Sequence, residues 1–374
     1  MTEDKTAYCE INLDALENNL DYFRKRLSAK TKIAAVIKSD AYGHGASRIA
    51  SRLEQNKNCW GYCVANIEEA IKLRDCHIEK SILVLGKTSE EEYEDAIKNG
   101  IRLSVDNGVE IEKLAEVGEK LSKNPIIHIQ VNTGMNRFGV ECSEAADLIN
   151  KALAIKCITV EFIYTHPYMM DSDDGEYTSS QYHKLLRLLN EIEDNGCKIP
   201  IRHYLNSGGV LKYPEYQMDM VRTGILLYGI FPSRNMSESY PDIQQVMSVY
   251  AQVQEVRDLH AGETVSYGGF FKAETNMRIA VINIGYANGY PRNLWNQGYV
   301  LIGGEKSKIL GTICMNQMIV DVSHIRNVKE FDTAVVVGSQ GDLCIRIEDI
   351  AELSNTIGHE IALGFGNANK KYFV

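Results

Sequence analysis

The chain of 374 residues is short of several features that would assign it to whole classes of protein. No apolar run reaches the roughly 18 residues that a helical membrane span needs. The opening MTEDKTAYCE is acidic and has no signal-peptide pattern. Nine cysteines are scattered without CxxC or CxxH spacing. That argues against a disulfide frame or a zinc site and for reduced thiols in a cytoplasmic protein. Basic residues are outnumbered, 40 Lys and Arg against 50 Asp and Glu, giving a net charge of −10. A nucleic acid or an anionic membrane surface is therefore not the expected partner. Prolines number only 7, and no low-complexity linker divides the chain.

What remains is an alternation of strand-like and helix-like segments. Candidate strands lie at 32–38, 61–65, 81–86, 102–106, 126–132, 159–166, 201–206 and 219–224. Most are continuous apolar runs, as in parallel strands buried on both faces. Segments with a period near 3.6 residues separate them, among them 47–56, 66–75, 108–122, 145–154 and 181–196. Eight such units predict a (β/α)8 TIM-like barrel; a doubly wound open sheet would alternate in the same way. Past about residue 238 the pattern becomes short strands and turns, with one helix near 346–354. The expectation is α/β plus all-β: a barrel over 1–238 and a mostly β domain over 239–374.

The distinctive residues fall at the ends of the predicted barrel strands. Lys38 ends the first, in IAAVIKSDAYGHGA. Arg137 follows the fifth, His166 ends the sixth, and Asn206, Ser207 and two glycines follow the seventh. Arg222, Thr223 and Gly224 end the eighth. In a barrel these meet at the C-terminal face, where barrel enzymes keep their active sites. A lone lysine there is ordinarily a snorkelling side chain. Alternatively its amine is freed by burial to attack a carbonyl. The segments NSGG and RTGI offer backbone N–H groups as a phosphate cradle, and Tyr42 offers a hydroxyl. Lysine, cradle and the imidazole of His166 together suit pyridoxal 5′-phosphate.

These motifs resemble the alanine racemase family of pyridoxal-phosphate enzymes over nearly the whole chain. EINLDALENNL, AVIKSDAYGHG, NTGMNRFGV, YTHP, LNSGGVL, DMVRTGILLYG, VSYGG, IGYANGYPR and ICMNQMIVDVS follow in the family's order. The resemblance implies that Lys38 holds the cofactor as a Schiff base and is the base on one face of the substrate Cα. Tyr267, in the β domain, is implied as the base on the other face, since racemisation needs acid–base groups on both sides. Arg137 and Met315 would bind substrate. Tyr42, Asn206, Ser207, Gly224 and Ile225 would serve the phosphate, His166 the ring face and Arg222 the pyridine nitrogen. A guanidinium keeps its protons, which makes the ring a weaker electron sink and suits racemisation. The resemblance further implies a homodimer with shared active sites, an amino acid as substrate and no metal.

The chain also departs from the family. Gln130 stands where many members have a lysine, often carbamylated, which excludes that modification here. Asn132, Asn288 and Asn316 replace carboxylates, and YTHPYMMD replaces the common THFA. The family's tail tyrosine falls at Asn367. An amide there opens volume near the substrate Cβ and can hydrogen-bond a hydroxyl. This tail resembles the racemase domain of membrane-bound serine racemases linked to vancomycin resistance. The resulting expectation is serine racemisation, with alanine secondary, by the cytoplasmic part of a longer protein whose membrane anchor lies outside this chain. An ordinary alanine racemase, a basic-amino-acid decarboxylase and a non-catalytic pyridoxal-phosphate carrier are the competing readings.

Overall fold

The computed structural model describes residues 7–170, 174–194, 196 and 201–374. Cys197, Asp171 of YTHPYMMD and Asn195 of the segment 181–196 lie outside the described residues. The chain divides into two compact units. One gathers Leu20–Ala41 and Ala46–Leu227; the other gathers Met1–Asn19, Tyr42–Gly45 and Tyr228–Val374.

Strand β1 (Tyr8–Ile11) belongs to the second unit. The first unit is built on β2 (Lys32–Val36), β3 (Cys59–Val64), β4 (Ser81–Val84), β5 (Arg102–Val105) and β6 (Ile126–Asn132). It continues with the short β7 (Val140–Glu141), then β8 (Thr159–Tyr164), β9 (Arg202–Asn206) and β10 (Met220–Thr223). The order is β5-β4-β3-β2-β10-β9-β8-β6-β7, and β5 also pairs with β6. All these pairings are parallel. The β5–β6 pairing closes eight strands into a barrel, so the open-sheet alternative is excluded. Each of the eight coincides with an expected strand.

The helices that alternate with the strands are amphipathic and capped. Helix Gly108–Leu121 buries Ile111, Leu114, Ala115 and Gly118, and the Asn107 side chain accepts from the Glu110 N–H. Asn66 caps helix Ile67–Asp75 in the same way. The barrel strands are apolar on both faces, but His128, Gln130, His203 and Arg222 are buried among them. Buried polar groups of this size need partners, and those partners build the site below.

The second unit is a nine-stranded sheet. Its strands are β1, β11 (Met247–Leu259), β14 (Met277–Ile282), β15 (Tyr299–Ile302), β16 (Glu305–Leu310), β17 (Met318–Asp321), β18 (Thr333–Gln340), β19 (Leu343–Ile345) and β20 (Lys370–Phe373). A separate small hairpin pairs β12 (Thr264–Val265) with β13 (Phe271–Lys272). The domain boundary expected at 238/239 is contiguous, whereas these units are not. β1 pairs antiparallel with β11 and parallel with β20, so both chain ends lie in one sheet.

Helix Gly358–Ala368, which the glycine-rich tail did not suggest, buries Ile361, Ala362 and Phe365 and also packs two of its glycines against backbone. A Cβ on Gly366 would sit 2.1 Å from the Gly43 carbonyl oxygen, and one on Gly289 would sit 2.4 Å from the Gly364 oxygen. Backbone cannot swing aside as a side chain can. Gly366→Ala is expected to destabilise the protein by about 1–3 kcal/mol. Thermal unfolding checks this, and an unchanged midpoint would show that the contact relaxes freely.

Candidate active site

Lys38, expected to end its strand, lies two residues past the end of β2 and opens an unusual turn. Ser39, Asp40, Ala41 and Tyr42 all have φ between 52° and 55°, the left-handed region that costs roughly 1–2 kcal/mol per non-glycine residue. Local bonds hold the turn. The Ala41 N–H donates to the Ile37 oxygen at 2.8 Å. The Ser39 N–H donates to Glu69 Oε1 at 2.7 Å, and the Ala46 N–H to Asp40 Oδ1 at 2.8 Å. Glu69 also accepts from the Ala65 N–H at 2.7 Å, tying the ends of β2 and β3 together. Strain concentrated in one turn is common at functional sites. Lys38 is half-buried. Burial, and then the charge of Arg137, lowers the pKa of its amine, which favours the neutral nucleophile.

Arg222, on β10, is only 2% exposed. One Nη donates to His203 Nδ1, and the other reaches the Thr165 oxygen at 3.0 Å, the Tyr204 oxygen at 3.2 Å and His166 Nδ1 at 3.3 Å. Its Cζ lies 5.2 Å from the centre of the Tyr164 ring. Among the described residues no carboxylate pairs with Arg222, and no acceptor bonds its Nε–H. Burial, followed by the charge of Arg222, pushes both His166 and His203 well below the usual imidazole pKa. Both rings are therefore neutral acceptors.

Arg137 is exposed on the loop after β6, beside a cleft lined by Lys87, Asp106, Asn132, Phe138 and Glu141. Asn132 organises that loop. Its Oδ1 accepts from the Gly134 and Asn136 N–H groups, both at 3.1 Å, and its Nδ2 donates to Glu141 Oε1 at 2.7 Å. The loop is joined to the His166 loop by Thr133 Oγ1 and Thr165 Oγ1, 2.8 Å apart, and by Gln181. Gln130 does not support Arg137. Its Oε1 accepts from the Tyr164 hydroxyl at 3.0 Å, and that hydroxyl also lies 2.8 Å from Ser104 Oγ.

Asn206 pairs in register with Arg222, and its side chain caps helix Ser207–Lys212 by accepting from the Gly209 N–H at 3.0 Å. The first N–H groups of a helix have no intrahelical partner, which leaves those of Ser207 and Gly208 for a ligand. Gly224 and Ile225 lead into the short helix Ile225–Tyr228. Lys38, Arg137, His166, Asn206, Ser207, Arg222, Gly224 and Ile225 thus belong to the barrel unit.

The other four expected residues lie in the second unit. Tyr42 packs on Tyr228, with ring centres 5.4 Å apart. Tyr267 is 73% exposed and Met315 is 56% exposed. Their loops are joined by Ser266 Oγ to the Thr312 oxygen at 2.5 Å and Thr312 Oγ1 to the Tyr267 oxygen at 2.9 Å. The Met315 oxygen accepts from the Ala287 N–H at 2.9 Å. Asn288 donates to Asn369 Oδ1 at 3.2 Å, and Asn369 Nδ2 returns to the Asn288 oxygen at 2.8 Å. Asn316 is exposed, and Asn367 is exposed on the last turn of helix Gly358–Ala368.

The barrel residues fit pyridoxal phosphate. An amine with a lowered pKa suits an aldehyde. A buried, permanently charged donor with its Nε–H unspent suits an unprotonated ring nitrogen. Two open helix-start amides suit a phosphate. Among the described residues no cluster of His, Cys, Asp or Glu could hold a metal ion, and no helix is long and apolar enough to cross a membrane.

Residues 11–232 match the family model for the alanine racemase N-terminal domain, and residues 246–373 match that for the C-terminal domain. The chain belongs to the alanine racemase family. It is 37% identical over 355 residues to an alanine racemase of Methanococcus maripaludis, covering 95% of each chain. To one of Clostridium perfringens it is 37% identical over 360 residues, covering 96% of this chain and 92% of the relative. The crystal structure of Clostridium difficile alanine racemase superposes with a TM-score of 0.92 at 31% identity, covering 99% of this chain and 96% of that one. This racemase is a pyridoxal-phosphate enzyme. These relatives are named alanine racemases. They give no support to the serine specificity or the vancomycin-resistance link read from the tail, and favour the alanine alternative.

Sequence reading did not find Glu69, Tyr164, Gln181 or His203 as supports of the site. Only the inward alternation of the strands that carry Tyr164 and His203 would have pointed to those two. Lys38→Ala is expected to abolish the absorption of the lysine-bound cofactor and to lower kcat by on the order of a thousandfold. A spectrum and turnover like those of the parent would remove Lys38 from the site.

Proposed function

We propose that the protein interconverts L- and D-alanine by a two-base mechanism, with Lys38 and Tyr267 as the bases. The observation that carries this reading is the buried Arg222 beside the lysine-bearing strand, in a chain whose matched relatives are named alanine racemases. When bound, pyridoxal phosphate supplies an electron sink for negative charge developing at the substrate Cα. Arg222 would face the ring nitrogen and, because it keeps its protons, would give none up. This limits the sink and disfavours reprotonation away from Cα. An acidic partner for the ring nitrogen, as a decarboxylase would need, is absent beside Arg222 among the described residues.

Lys38, with its lowered pKa, exchanges a proton with Cα on one face. The Tyr267 hydroxyl does so on the other. Arg137 clamps the substrate carboxylate. Neutral His166 would pack on the ring. Ser207, Gly224, Ile225 and Tyr42 would hold the phosphate, with Asn206 shaping the loop. Met315 lines the substrate pocket. A carrier without catalysis would leave Tyr267 and Met315 without a role.

The working unit in this reading is a homodimer in which Tyr267 and Met315 of one copy complete the site of the other. A residue that completes a partner's site must be exposed on the single chain, and Tyr267 and Met315 both are. Mixing Lys38→Ala with Tyr267→Phe, each inactive alone, is expected to restore activity after subunit exchange. Such a hybrid holds one intact site only if the sites are shared; no recovery would place both bases within one chain.

A second reading, serine as the preferred substrate, rests on Asn367, an exposed amide where the family's tail has a tyrosine. Chiral chromatography after separate incubation with L-alanine and L-serine compares the two. Faster D-alanine formation is expected, and faster D-serine formation would reverse the order. Asn367→Tyr should lower the serine-to-alanine ratio; an unchanged ratio would remove Asn367 from substrate choice.

A further inference from the structure

The barrel core contains two buried ring nitrogens that the mechanism leaves unused. Arg222 donates to His203 Nδ1. Arginine does not accept hydrogen bonds, so His203 Nδ1 carries a lone pair. The ring is neutral, because burial and then the charge of Arg222 push its pKa well below the usual value. The one ring proton is therefore on Nε2, which is buried and has no hydrogen-bond partner.

His128, on β6, has the complementary arrangement. Its Nε2 lies 3.0 Å from Glu161 Oε2. Burial tends to raise the Glu161 pKa, but hydrogen bonds from His128 and Arg102 outweigh it and keep the carboxylate ionised. An ionised carboxylate only accepts, so His128 donates from Nε2. Burial pushes the His128 pKa down to about 4, the ring is neutral, and its Nδ1 has a lone pair. That Nδ1 is likewise buried and unpartnered. The two rings are neighbours, with centres 5.7 Å apart and planes at 71°. A ring with an unspent donor therefore adjoins a ring with an unspent acceptor.

We propose that His203 donates its Nε2–H to a buried water that in turn donates to His128 Nδ1, completing a hydrogen-bonded path from Arg222 to Glu161 through the barrel core. The path runs Arg222, His203, His128, Glu161, and Arg102 anchors its far end at 3.0 Å. Arg102 is itself placed over Trp60, 5.7 Å from the ring centre. His203 and His128 are positioning residues: they fix the Arg222 guanidinium from the end of the barrel interior remote from Lys38. Tyr164, stacked on His203 at 4.4 Å and 7°, keeps that ring from turning. The inference rests on the reading of Arg222 as the group that meets the cofactor nitrogen.

Nitrogen-15 NMR of ring-labelled histidine in the holoenzyme tests the path without any mutation. Both His203 and His128 are expected to be neutral and protonated on Nε2. A proton on Nδ1 of either ring, or an imidazolium at His203, would overturn the proposal. Variants then separate a polar path from packing. His128→Phe keeps a ring but offers no acceptor, and should weaken cofactor binding and lower kcat by about threefold or more each, with the alanine KM unchanged. His128→Gln keeps one acceptor and one donor and should recover much of both. If Phe performs better than Gln, the role is packing and the path is wrong. If Arg222→Leu leaves the bound cofactor's absorption unaltered while the tautomers are as expected, the path stands and the placement of Arg222 at the cofactor fails.

Discussion

The barrel's interior is arranged around one buried charge. A guanidinium that is 2% exposed has lost its hydration, a cost that usually calls for a carboxylate close by. Arg222 instead has carbonyl oxygens, imidazole nitrogens and the face of Tyr164. That choice fixes its surroundings. The two histidines must be neutral, so each presents a lone pair to the cation. Tyr164 must hold still, and its hydroxyl is pinned between Ser104 and Gln130. Gln130 is thereby committed to Tyr164, so the amide in place of the family's lysine belongs to the Arg222 support and not to that of Arg137. Lys38, Arg137 and Arg222 each lower the pKa of His166, so the cations share one field. Such a field suits an anionic cofactor and an amino acid's carboxylate.

The second constraint is the left-handed turn after Lys38. Four consecutive non-glycine residues at φ near 53° are unfavourable in isolation. A regular helix there would carry Tyr42 away in the opposite screw sense. Glu69 and Asp40 stabilise the turn through side-chain acceptors, and Gly43 ends it with its backbone against helix Gly358–Ala368. Gly366 of that helix, poor in helix propensity, leaves no room for a Cβ against the Gly43 backbone. Local preference is sacrificed there for close approach.

These two constraints mark what was legible in the sequence. The eight barrel strands were legible because burial on both faces makes them continuous apolar runs, each bounded by turn residues. The barrel's closure was not, since an open sheet writes the same alternation; it rests on the β5–β6 pairing. Lys38, Arg137, His166 and Arg222 were legible by their positions at strand ends and by motif. β1 was not, because four residues carry too little periodicity and its partners lie at residues 247–250 and 370–373. Helix Gly358–Ala368 was hidden by three glycines and an asparagine. His203 and His128 read as ordinary core histidines, since a hydrogen-bonded path between distant strands leaves no spacing in the chain.

Two of the three carboxylate-to-amide changes, which from sequence looked like a shared signal about substrate, have local causes, and nothing in the structure explains the third, Asn316. Asn132 must donate to Glu141 as well as accept from two backbone amides, and an aspartate could only accept and would repel that glutamate. Asn288 and Asn369 exchange hydrogen bonds as a pair, which again requires a donor at 288. Neither change therefore argues for serine. Asn367 differs from both. The tail has no proline to stop the helix, which runs on to Ala368, and among the described residues the Asn367 side chain makes no hydrogen bond. Its polar capacity is not spent within the fold, so nothing in its surroundings opposes the part in substrate choice that the serine reading gives it.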